Sequence, residues 1–173
     1  VHSIRTLLFE LRPLALETQS LESTIRIFVE RRQTDVAENP KLTLKIKTTN
    51  PTGQISRQDD KVEAALFAIV QEAVNNAIKH ARADNVTVHL EETSTALFVI
   101  ISDDGEGFDV DEVLNNYEQR GSLGMINIRE RTELIGGELT MVSGPGQGTH
   151  ITVCVPKAEE ERLKKRATGR LAM

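Results

Sequence analysis

At 173 residues the chain is long enough to bury a substantial core and has the length of a single domain. Its 39% hydrophobic and 27% charged residues are those of an ordinary globular protein, and a net charge of −5 argues against a nucleic-acid-binding surface. No run approaches the roughly 18 apolar residues of a membrane helix, the first residues are no signal peptide, and the one cysteine, Cys154, excludes an internal disulfide, fits a reducing compartment and is expected in the core.

The chain starts at Val1 without Met, inside a helical pattern of Ile4, Leu7, Leu8 and Leu11, and therefore reads as a fragment of something longer. Arg12-Pro13 stops that helix, because the residue before proline disfavours helical backbone. A second helix is predicted from Ser20 as N-cap, with Leu21, Ile25, Phe28 and Val29 on its buried face and Asn39-Pro40 at its end. Leu42, Leu44 and Ile46 alternate with polar residues as a half-buried strand, and Asn50-Pro51-Thr52-Gly53 is a turn. Asp59 or Asp60 caps a long helix through about Ala81. Strands follow at Asn85 to Glu92 and Leu97 to Ser102, then a Gly-, Asp- and Asn-rich stretch to Gly124, then a helix of about 12 residues. Leu139 to Val142 and His150 to Val155 form a last hairpin. Helices alternate with strands, but hairpins pair the strands, which predicts an α/β sandwich with a mixed sheet covered by helices on one face. The tail carries Glu159-Glu160-Glu161 beside Arg162-Leu163-Lys164-Lys165-Arg166 and reads as a solvated charged segment.

The long helix is unusual in its polar face. At about 100° per residue, Val62, Leu66, Ile69, Val70, Ala73, Val74 and Ala77 form an apolar arc. Gln71, Glu72, Asn75, Asn76 and Lys79 gather opposite, with Ala65 and Ala68 leaving room for something to lie against them. Glu72 and Asn76 are i, i+4 neighbours, and Lys79 extends the column. A carboxylate, an amide oxygen and an ammonium in one column suit a magnesium-bound polyphosphate, because Mg²⁺ takes one or two protein oxygens and the rest from phosphate and water. The plainer reading is a solvated helix face.

Three glycine-bearing segments stand beside it. Asp103-Asp104-Gly105-Glu106-Gly107 comes after a buried strand, where Asp103 would accept from an exocyclic amine and the glycines would let a flat ligand approach. Gly121-Ser122-Leu123-Gly124-Met125 precedes a helix whose N-terminal amides favour phosphate. Gly146-Gln147-Gly148-Thr149 opens the final strand. Each alone is also an ordinary turn.

In this order the segments resemble the nucleotide-binding boxes of the GHKL ATPases, the superfamily of gyrase, a class of heat-shock chaperones, mismatch-repair proteins and histidine kinases. Leu123-Gly124-Met125-Ile126-Asn127-Ile128-Arg129-Glu130-Arg131 is similar to short-lidded sensor histidine kinases that partner NarL-type response regulators, and Leu7-Leu8-Phe9-Glu10-Leu11-Arg12-Pro13 to the end of their second dimerisation helix. The resemblance implies a Bergerat-type ATP-binding fold and divides the chain into the end of a dimerisation helix with its linker (1–18), a catalytic domain (19–156) and a charged tail (157–173). It implies ATP and Mg²⁺ as cofactors. Asn76 would be the metal ligand, Glu72 the polarising acid, and Lys79 and His80 would approach phosphate. Asp103 would read the adenine amine, with Gly105 and Gly107 lining its pocket. Residues 108–123 would be the lid, Gly121 and Gly124 its hinges, with Met125 beside the nucleotide, and Gly148 and Thr149 would close the adenine side.

The same resemblance implies a phosphoacceptor helix of the same kinase, a dimer in the full-length protein, and a NarL-type response regulator as partners, with no nucleic acid and no membrane contact by this fragment. It implies a cytoplasmic location, whether or not the parent protein is membrane-anchored. His2 lacks the acidic residue that comes after the family's phosphoacceptor, so the acceptor histidine is expected upstream of Val1. His89 and His150 are expected as surface or strand filling. Two alternatives keep the same boxes: a nucleotide-sensing switch module without transfer, and a serine kinase of the anti-sigma type.

Overall fold

The computed structural model of the chain describes residues 16, 18–111 and 122–157. The helix α1 (Leu21–Val36) starts where the Ser20 hydroxyl accepts from the Ser23 amide, and it buries Leu21, Thr24, Ile25 and Val29. It ends earlier than the Asn39-Pro40 signal, at Ala37, whose φ of 59° leaves helical space. The next elements are β1 (Lys41–Thr48), α2 (Asp60–Asn76), β2 (Asn85–Glu92), β3 (Ala96–Asp103), α3 (Ser122–Leu134), β4 (Glu138–Ser143) and β5 (Thr149–Pro156). Asp59 caps α2 by accepting from the Lys61 amide.

The five strands form one sheet in the order β1-β2-β3-β5-β4. Only β1 and β2 run parallel, joined by α2 as the crossover; the other pairs are antiparallel. The mixed sheet is as the alternation of helices and hairpins predicts. Inward residues of the central strands, Val88, Leu90, Leu97, Val99, Ile101, Ile151 and Val153, meet Leu66, Ile69, Val70 and Val74 of α2 in a continuous core. Phe28 of α1 packs edge-on against Phe67, ring centres 5.8 Å apart. The period of two turns the intervening residues to the other face. Cys154 stands there, level with Phe98 and Glu138 and half-buried, not in the core.

Two acidic residues that carry no periodic signal lie inside the fold. Glu63 is 0% and Glu92 1% exposed. With Glu22 they hold the β1–α2 connection. Glu22 accepts from the Ile55 amide, Glu92 from the Ser56 amide and the Thr48 hydroxyl, and Glu63 from the Gln58 amide and the Arg57 guanidinium at 2.9 Å. Burial raises the Glu92 pKa, but the bonds from Lys157, Thr48 and Ser56 outweigh it and hold the carboxyl below the usual range. Lys157, assigned by sequence to the tail, thus closes an ion pair at 3.0 Å with the body. Leu16, assigned to the linker, is fully buried in the core. His2, the Leu7–Pro13 segment and the charged run after Lys157 lie outside the described residues.

Candidate functional site

The regular part of α2 ends at Asn76, and Ala77–Ala81 form a π-helical turn, closed by Arg82 in the left-handed region. Such a turn holds more residues than an α-turn and rotates the residues after it. Lys79 therefore leaves the column of Glu72 and Asn76. It is exposed and does not line the cavity between α2, α3 and the sheet, whereas His80 does. Ala65 also departs from expectation, being 1% exposed and buried in packing instead of lying on an open polar face.

The two adjacent asparagines have different fates. Asn75 Oδ1 accepts from both Nε and Nη2 of Arg32 on α1, so its oxygen is committed to holding α1 against α2. Asn76 keeps Oδ1 free of any protein donor among the described residues, while its Nδ2 is buried without a partner. Glu72 carries no ion pair among the described residues. Both side chains face Gly124, where a Cβ would overlap the Glu72 carboxylate and come within 2.8 Å of Asn76 Nδ2. Gly124 belongs to the first turn of α3 and not to a loop ahead of it, so its lack of a side chain serves the close approach of α3 to α2. Gly121 lies outside the described residues, as do lid residues 112–120.

The cavity has a volume of about 180 Å³. Ala73, Ala77, Ala81, Ile101, Phe108, Met125 and Ile151 make most of its wall, and Asn76, His80, Asp103, Gly107 and Thr149 complete it. The sequence reading places Asn76, His80, Asp103, Gly107, Met125 and Thr149 at the site, and the fold brings these six together from four separate segments. It misses the alanine and isoleucine wall, which looks like core in any periodicity. It also puts Phe108 in the lid, whereas Phe108 packs against the core as part of the cavity. A lone aromatic after Gly107 in a polar stretch is the signal that marks it.

At the cavity's polar end, Asp103 Oδ1 accepts from the Gly105 amide at 2.9 Å, and Oδ2 has no protein donor among the described residues. Its neighbour Asp104 is structural. It accepts from the Asp84 amide and from the amide and side chain of Asn85, and the Asn85 side chain and amide hold its carboxyl below the usual range. Gly107 and Gly148 have φ of 65° and 67°, and a Cβ on either would strike backbone carbonyls, of Gly144 and Gly148 for the first and of Asp103 for the second. Gly105 packs likewise on Ala81 and does not line the cavity. These glycines let the β3 end, the α2 end and the β4–β5 turn interlock beside a largely apolar slot with one free carboxylate oxygen. Such a slot takes a planar heterocycle with an exocyclic donor. Among the described residues no three His, Cys, Asp or Glu side chains gather to hold a metal by themselves.

The family profile of histidine kinase-, DNA gyrase B- and HSP90-like ATPases matches residues 61–159, more than half of the chain. The chain belongs to this ATPase family. The chain is 45% identical over 156 residues to an uncharacterized sensor-like histidine kinase of Chloroflexus aurantiacus, covering 90% of this chain and 25% of that protein. It is 34% identical over 158 residues to the signal transduction histidine-protein kinase/phosphatase DegS of Brevibacillus brevis, covering 91% of this chain and 38% of that one. The chain thus spans well under half the length of these relatives. The fold matches the histidine kinase domain of the Erythrobacter litoralis blue-light activated histidine kinase with a TM-score of 0.64, at 20% identity over 83% of this chain and 64% of that one. This is an ATP-binding domain of the histidine-kinase catalytic type. No helix among the described residues is long and apolar enough to cross a membrane.

Proposed function

We propose that this ATPase domain binds Mg-ATP and delivers the γ-phosphoryl group to a histidine on a dimerisation helix of its parent kinase, for relay to a response regulator of the NarL type. The observation that carries the reading is the convergence on one cavity of Asn76, Asp103, Gly107, Met125 and Thr149. In this reading Asp103 Oδ2 accepts from the adenine amine, the alanine and isoleucine wall takes the ring, and the phosphates run toward Asn76 and the start of α3. The donor set fits magnesium: the free Asn76 Oδ1 supplies one hard oxygen, and the scarcity of further protein ligands among the described residues leaves the rest to phosphate and water. Held there, magnesium would supply charge neutralisation for the phosphates. Glu72, one turn before Asn76, polarises the incoming imidazole. Lys79 and His80 stand at the turn where the phosphates would leave the cavity.

Titration calorimetry with Mg-ATP tests the nucleotide half of the reading, and absence of binding would sink it. The transfer half is tested by adding the dimerisation and phosphoacceptor helices of the parent kinase, in cis or in trans, with radiolabelled ATP. Acid-labile phosphohistidine that vanishes in Glu72→Ala supports the kinase. Acid-stable phosphoserine on a partner would instead identify the serine-kinase alternative, and binding without any transfer the switch module.

A further inference from the structure

Ser143, the last residue of β4, occupies a position that the nucleotide boxes do not include. Its row across the sheet is Ser143–Thr149–Asp103, each opposite the next in the β4–β5 and β5–β3 registers. Its Oγ accepts from the Phe108 amide at 3.0 Å, donates to the Gly148 carbonyl at 2.8 Å, and lies 3.3 Å from Thr149 Oγ1. A serine hydroxyl has one proton and two acceptor sites. The shorter bond to Gly148 takes the proton, and the Phe108 amide takes one acceptor site. The contact with Thr149 then satisfies both partners only if Thr149 is the donor. So the Thr149 proton points at Ser143, and the lone pairs of Thr149 Oγ1 are left for the cavity that Thr149 lines.

We propose that Ser143 is the positioning residue of the nucleobase end of the cavity: it fixes Phe108 in the wall, ties down Gly148 beside it and holds Thr149 as an acceptor, so that Asp103 and Thr149 together select a purine with an amine, not a carbonyl, at its 6-position. The inference rests on the ATP reading and deepens it. A base presenting a carbonyl at that edge meets two acceptors and no donor, which leaves buried groups unpaired. Without Ser143 the Thr149 hydroxyl is free to rotate and donate to that carbonyl.

The test measures Mg-ATP and Mg-GTP affinity by calorimetry for the wild-type chain, Ser143→Ala and Ser143→Thr, together with amide exchange at Phe108. The expected result for Ser143→Ala is about a tenfold loss of ATP affinity and about a tenfold narrowing of the ATP-to-GTP ratio. Ser143→Thr, which keeps the hydroxyl and suits a strand, should restore both. The Phe108 amide, protected in the wild type, should exchange faster in the alanine variant at unchanged exchange in α2. General loosening of the fold would lower the binding-competent fraction for both nucleotides alike and leave their ratio alone, so an unchanged ratio in Ser143→Ala overturns the proposal. A wild type that prefers ATP alongside an unchanged Ser143→Ala overturns the Ser143 assignment only; a wild type that binds neither nucleotide overturns the ATP reading and this inference with it.

Discussion

Asn75 and Asn76 are chemically identical and adjacent, and only their partners separate them. Arg32 occupies the oxygen of the first and leaves that of the second free. Asn76→Ala is therefore expected to weaken Mg-ATP far more than metal-free nucleotide, and calorimetry with and without Mg²⁺ measures it; equal losses would remove Asn76 from the metal site. Asn75→Ala should cost about 1.5–3 kcal/mol of stability, the worth of hydrogen bonding to a charged group such as Arg32, seen in urea unfolding, with little change in the magnesium dependence. Gly124→Ala probes the same spot from α3. Its methyl would displace Glu72 and Asn76, so nucleotide affinity should fall at least tenfold while the melting temperature moves by only a few degrees. An alanine variant with wild-type affinity would show that α3 can move away without consequence for the site.

At the scale of elements, the β1–α2 connection has only Ile55 as a buried apolar anchor, and its order comes from three carboxylates reaching in from α1, α2 and β2. This gives it a pH dependence. The Glu92 pKa is lower in the folded chain than the ordinary carboxylate value of about 4.3, so the folded state binds fewer protons there than the unfolded state. The stabilisation is complete above about pH 4.3 and is lost as pH falls through the lower folded pKa. Glu92→Gln should leave less stability at neutral pH and a flatter acid limb below about pH 4, measured by urea unfolding across pH; an unchanged acid limb would show that other carboxylates dominate it. The π turn at Ala77–Ala81 is the other element-scale device. It takes Lys79 out of the column of Glu72 and Asn76 and away from the cavity, a rotation that a helical wheel does not contain.

At the scale of the whole molecule, one core runs from α1 through the sheet, and the cavity proposed to take the nucleotide opens between α2, α3 and that sheet. Ile69, fully buried at the centre of α2, should cost about 2–5 kcal/mol as Ile69→Ala, lowering the urea midpoint in one cooperative transition. Ligand and core are then linked: Mg-ATP at a hundred times its dissociation constant should stabilise the native state by about 2.7 kcal/mol, a rise of about 5–10 °C in melting temperature. No thermal shift at saturating Mg-ATP would contradict binding in the cavity.

The mixed sheet, the elements and the family were legible in the sequence because each rests on local pattern. Alternation of period two set the strands, Ser20 and Asp59 announced their helices, and the Asp103-to-Gly107, Gly124 and Gly148-Thr149 segments carried the resemblance in their spacing. What escaped depends on residues distant along the chain. Glu63 and Glu92 show no sign of burial in the sequence; Arg57, Lys157 and the Ser56 and Gln58 amides are brought to them only by the fold. Phe108 and Ile151 read as lid and core until both border one cavity. Lys79 reads as the next member of the Glu72 and Asn76 column until the π turn takes it out of line. Ser143 has no signal at all, since its role lies in three bonds to Phe108, Gly148 and Thr149, which only the meeting of β3, β4 and β5 brings within hydrogen-bonding distance. Local sequence determines backbone preference and which face is apolar, both short-range properties; which polar atom finds a partner, and which stays free for a ligand, is settled only when tertiary packing removes water and leaves each buried group its few remaining neighbours.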